Sequence, residues 1–115
     1  MMSRLIAIAL FLLPVEAIAQ SSAPAGKEIL EESRRFASGR PGNDFMQGYC
    51  AGQIQMVLAS EITFDDEHKH CTPKNVKLGQ VARAVVDFMD NNAAFLHLPF
   101  SALAHHAIRT AWPCR

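Results

Sequence analysis

The spacing of apolar residues constrains this chain most. From residue 27 onward they recur every three to four positions, and no segment alternates with period two over a useful length. Side chains three and four apart share one face of a helix, whereas a half-buried strand needs every second position. The pattern predicts an all-α fold, a small four-helix antiparallel bundle. In residues 27–36, Ile29, Leu30, Ser33 and Phe36 share a face, and the acidic residues precede Arg34 and Arg35, the order a helix dipole favours. Gly39-Arg40-Pro41-Gly42 breaks this helix, and Asn43 or Asp44 offers the N-cap of the next. The second helix runs to about Ser60 on a stripe of Met46, Tyr49, Cys50, Gln53, Ile54, Val57 and Leu58. Its Gly48 and Gly52 predict close approach by another helix, because each glycine otherwise costs about 1 kcal/mol relative to alanine. Leu78, Val81, Ala82, Val85, Phe88 and Met89 mark a third helix ended by Asn91-Asn92. His97-Leu98-Pro99 leads into a fourth, striped by Phe100, Leu103, Ala104, Ala107, Ile108, Ala111 and Trp112 and stopped by Pro113.

The N-terminal stretch reads as an address. Arg4 precedes an apolar run from Leu5 to Val15 broken only by Pro14, and Ala17-Ile18-Ala19 is a small-x-small site before Gln20. This is the pattern of a secretory signal peptide over residues 1–19, cleaved near Ala19-Gln20, and the run is short of the ~20 residues that span a bilayer. Residues 20–26 are small and polar, a flexible lead-in to a helical domain over 27–115. The expected location is the periplasm, with no membrane attachment after cleavage. Eleven basic residues balance eleven acidic ones, so no basic patch points to nucleic acid or to an anionic membrane surface.

Cleavage leaves roughly 96 residues, a size at which one core is modest and export permits disulfides to add stability. Cys50, Cys71 and Cys114 all lie in that part, and an odd count leaves at least one thiol without a partner in the chain. In an up-down-up-down bundle the loop after the second helix and the end of the fourth share a pole, so Cys71 and Cys114 can meet. Such a bridge stabilises by up to about 4 kcal/mol in the chain-entropy account. Cys50, facing the first helix near the level of Ser33, is then an inert buried thiol. The competing pairing, Cys50 with Cys71, needs the loop to fold back along the second helix.

Residues 61–75 have no steady period and hold an acidic run, two histidines, a cysteine and a proline. Loops this long in a small domain are uncommon and often functional. Asp65-Asp66-Glu67 reads either as an electrostatic mimic presented to a partner or as a solubilising tip. His68-Lys69-His70-Cys71 has the residue types of half a metal site, but a fourth ligand is lacking and the cysteine is better used in a disulfide, so the histidines read as ordinary loop residues. His105 and His106 are adjacent and do not share a helix face as an i, i+4 ligand pair would. No metal and no cofactor is implied. No Ser-His-Asp set, phosphate loop or carboxylate pair stands at a usable spacing, so an enzyme is not expected.

Gly48-Tyr49-Cys50-Ala51-Gly52, Cys71-Thr72-Pro73, Leu78-Gly79-Gln80, His97-Leu98-Pro99 and Ala111-Trp112-Pro113-Cys114, taken in order, resemble the Tai/Rap family of periplasmic immunity proteins, which neutralise cell-wall amidases delivered by type VI secretion. The resemblance implies a small helical bundle without enzymatic activity, commonly a homodimer, that occludes the cleft of an amidase effector. Together with the loop argument it points to Asp65, Asp66, Glu67 and His68 as effector contacts. The family usually has a fourth cysteine where this chain has Ser33, whose partner would be Cys50. It often has Ser or Thr in place of Lys77, capping with the glutamine three residues on; here Gln80 lacks that partner and Asn75 is the alternative cap. A second class remains open, a periplasmic stress protein or acid chaperone without a cognate toxin, whose five histidines would titrate near pH ~6.

Overall fold

The computed structural model describes residues 23–60 and 69–115. Over these, four α-helices follow in order: α1 (Gly26–Ala37), α2 (Asp44–Ala59), α3 (Leu78–Asn91) and α4 (Phe100–Ala111), with a 3-10 turn at Ala93–Phe95. The described residues contain two isolated β-bridges, Ala25 with Pro99 and His70 with Pro113. The all-α expectation holds, and the periodic stripes meet in one core. Ile29, Ile54, Val85, Met89, Phe100 and Ile108 are all fully buried, drawn from all four helices.

Local chemistry sets most helix ends. The Asn43 side chain caps α2 by accepting from the Met46 N–H at 3.1 Å. At the end of α1, Gly39 takes φ +67°, a left-handed turn that an L side chain disfavours, and the Arg40 N–H closes back on the Arg35 carbonyl at 2.9 Å. Asn75 does not cap α3: the N-cap is Lys77, whose backbone N–H donates to Gln80 Oε1 at 2.9 Å. That half of a capping box needs only a backbone donor, so it survives the loss of a hydroxyl at position 77.

The structure corrects the expectation for the α2 glycines. Gly48 and Gly52 receive no neighbouring helix; both are exposed, and a Cβ built on either meets nothing within 4 Å. The close approach occurs at Gly26, where an added Cβ would collide with Leu103 Cδ1 and press on the Met89 sulfur. Contacts of the helical body also begin before residue 27. The Pro24 carbonyl accepts from the Phe100 N–H at 3.0 Å, and the Gly26 N–H donates to the Leu98 carbonyl at 2.9 Å.

α3 and α4 form an antiparallel hairpin. α1 is tied to α3 by Arg34, whose guanidinium grips the Asp90 carboxylate through two bonds of 2.8 and 2.9 Å. Arg83 adds a bond to the last α1 carbonyl, at Ala37.

Candidate functional site

His70 and Cys71, ahead of α3, are fastened by partners distant in sequence. Cys71 and Cys114 are bonded, with Cα atoms 5.0 Å apart across 43 positions. The Cys71 N–H donates to the Trp112 carbonyl at 2.8 Å, and His70 bridges to Pro113 beside it. The segment after α2 is thus stitched to the end of α4 by side chain and backbone together, the arrangement expected from a shared pole.

Cys50 is the free thiol and is fully buried. Burial pushes its pKa up, and the Ser33 hydroxyl pulls the other way. A thiol held protonated is a poor nucleophile. Ser33 is itself fully buried beside it, and its hydroxyl makes no well-formed hydrogen bond. The pair occupies the α1–α2 interface where the family resemblance places a second bridge.

Sequence reasoning missed His70. Read as an ordinary loop residue, it is fully buried. Its Nε2 lies 3.1 Å from the Val57 carbonyl oxygen and its Nδ1 2.9 Å from Thr72 Oγ1. A carbonyl only accepts, so Nε2 carries a proton, and the Thr72 hydroxyl can serve at Nδ1. The available signal was the sequence itself: a histidine next to a disulfide cysteine, followed two positions on by a hydroxyl residue. Among the described residues no group of three or more His, Cys, Asp or Glu could hold a metal ion. Asp65, Asp66, Glu67 and His68 lie outside the described residues; the flanks that carry them, Ser60 and Lys69, are described.

Two further surfaces stand out. Phe88, Asn92, Phe95, Leu98, Leu103 and His106 line a mostly apolar hollow of about 240 Å³ between α3 and α4. On α2, Phe45 is 78% and Met56 62% exposed. With Gly48, Gly52, Gln55 and Ala59 they form one uncharged outer face. Neither surface presents a nucleophile next to a base. No described helix is long and apolar enough to cross a membrane.

The described residues form a compact helical domain whose α4 end is cross-linked to the chain ahead of α3. A family model describing Rap1a immunity proteins matches residues 25–114, and the chain belongs to that family. Immunity proteins of this kind act by binding an effector and are not enzymes. None of the curated proteins and none of the solved structures matches the chain.

Proposed function

We propose that this protein is exported to the periplasm through a signal peptide at residues 1–19 and there binds a type VI-delivered cell-wall amidase, covering its active-site cleft without chemistry of its own. The observation that carries this reading is the family match, which spans nearly the whole described chain. The disulfide supports an oxidising compartment, since such bonds persist where thiols are not kept reduced.

Asp65, Asp66, Glu67 and His68 are the proposed contacts. They are carried on a connection longer than four helices need, and binding residues concentrate on loops held by rigid scaffolds. A few central contacts dominate such interfaces, so alanine changes at these four positions should have unequal effects. The uncharged outer face of α2 is the proposed surface for homodimerisation, because two copies can meet there without opposing like charges. Met56→Glu should then abolish concentration-dependent association in sedimentation measurements.

The functional test co-expresses a type VI cell-wall amidase, targeted to the periplasm, with and without the protein. Protection from lysis, together with inhibition of peptidoglycan hydrolysis by the purified pair, is the expected result. Equal lysis in both strains and unimpaired hydrolysis would sink the immunity reading for that pair and favour the stress-protein class.

A further inference from the structure

Two packed helices leave a seam along their outer side, and the side chains that line it set its depth. The main helix pairings run round a ring, α1 with α3, α3 with α4, α4 with α2 and α2 with α1, which puts the α3–α4 seam opposite α1 and α2. The apolar hollow of about 240 Å³ in this seam is walled by Phe88, Phe95, Leu98 and Leu103. It runs into a more open trough that shares Phe88 and Asn92 with it and also touches Ala84, Ala107 and Ala111. Such small side chains let the backbone of a partner come close. Asn92 does not make the hollow polar, because its amide is spent on the Phe88 carbonyl at 2.7 Å. Asp87 is the single carboxylate on the lining; it is exposed and makes no ion pair among the described residues.

We infer that the α3–α4 groove is a docking site for the effector: it takes an apolar side chain into the hollow and a neighbouring lysine or arginine onto Asp87. The inference rests on the reading of this protein as the binder of a cell-wall amidase, and it names a surface of the helical body for that contact. A side chain buried in a pocket is the kind of anchor that dominates interface energies, while a charge pair at the rim sets the encounter rate and excludes wrong partners. Charge also decides against a second copy of this chain as the occupant. Its exposed apolar face is α2, and the only charged residue of that helix is Asp44. Docking α2 into the groove would bring a carboxylate towards Asp87 and leave Asp87 without a cation.

The test has an arm without effector and an arm with it. In the first, backbone amide shifts of the purified protein are followed during titration with n-pentylammonium and, separately, with pentanoate, which share an apolar tail and differ in charge. Pentylammonium should move the amides of Phe88, Phe95 and Leu98, and pentanoate should leave them in place. Asp87→Lys should weaken the pentylammonium response by about threefold or more, the scale of one exposed charge pair turned repulsive. In the second arm, binding is measured to a type VI cell-wall amidase against which the unaltered protein protects cells. Phe95→Ala should weaken it by about tenfold, and Asp87→Lys by about threefold or more with the loss mainly in association rate. Both side chains are exposed, so thermal unfolding of the two variants should match that of the unaltered protein. If Phe95→Ala fails to fold, Asp87→Lys decides alone. No response to pentylammonium, an equal response to pentanoate, or native amidase affinity in the variants overturns the proposal. Loss of self-association in Phe95→Ala would give the groove to a second copy and overturns it as well. If the unaltered protein protects against no such amidase, the immunity reading falls, and the effector-free titration shows separately whether the groove binds an apolar cation.

Discussion

α2 is flanked by two connections built on opposite principles. The one before it, residues 38–43, is closed by its own neighbours. Gly39 supplies the left-handed turn and Asn43 the cap, while Glu32 reaches across from α1 to accept from the Asn43 N–H at 3.0 Å. Gly42 leaves room for that carboxylate; a Cβ there would collide with Glu32 Oε2 and crowd Gln47 Nε2. The connection after α2 is closed by a disulfide to a residue 43 positions away, a backbone bond to Trp112 and an imidazole bonded to Val57. A short turn can be specified by residues that are neighbours whether or not the protein is folded. A long connection in a small domain has no local means of closing and borrows stability from the far end of the chain.

The contrast predicts where damage is largest. Replacing Cys71 and Cys114 with serine should lower unfolding free energy by up to about 4 kcal/mol in denaturant titrations, the loop-entropy scale for a crosslink of this span. A loss as small as that of a surface change would show that the long connection is held by its backbone and His70 instead. In the short connection Gly39→Ala should cost about 1–2 kcal/mol, because alanine resists the left-handed conformation. Glu32→Ala should remove about 1 kcal/mol, the value of one charge-assisted cap-like bond at a partly exposed site. Either result exceeding the disulfide effect would invert the comparison.

The interface between the connections offers a milder probe. Ser33→Cys should form a second bridge with Cys50, detectable as loss of free thiol in mass spectrometry. Ser33→Ala should be neutral or slightly stabilising, since it removes a buried hydroxyl without a proper partner. Unmodified Cys50 should resist thiol reagents under native conditions at mildly alkaline pH, because burial raises its pKa and blocks access. Rapid labelling would show that α1 and α2 open readily.

Among the ion pairs, Arg34–Asp90 has a small effect. The Arg34 hydrogen bonds hold the Asp90 carboxyl below its ordinary range, and the pair is about a third or more exposed. Solvent screening limits such a pair to about 1 kcal/mol or less. The folded pKa is depressed, so this contribution is present above the unfolded value near about 3.9 and is lost as pH falls through the folded one. Asp90→Asn should flatten that part of the acid unfolding curve and change little at neutral pH.

Much of this was legible in the chain. The stripes of α3 and α4 are spaced at three and four with few interruptions, and nearly every residue assigned to them is buried or half-buried; Ala111 is the exception. α2 was harder, because it is apolar nearly all round. Its periodic stripe correctly located Cys50, Ile54 and Val57, yet could not say that Phe45, Gly48, Gly52 and Met56 would stand uncovered. Two glycines four apart permit a close neighbour but do not supply one.

What the sequence by itself determined is therefore local: the four helices, the Gly39 turn and the Asn43 cap. Those depend on spacing and on residues within a turn of each other, whose interactions are the same in any context. The tertiary structure alone decided that Gly26 and not Gly48 is the point of tight packing, and that His70 is buried rather than an ordinary loop histidine. Both follow from contacts between segments far apart in the chain: Gly26 meets Leu103 and Met89, and His70 meets Val57 and Pro113. Sequence spacing carries no information about which distant surface will cover a residue, because that is settled only when the helices pack.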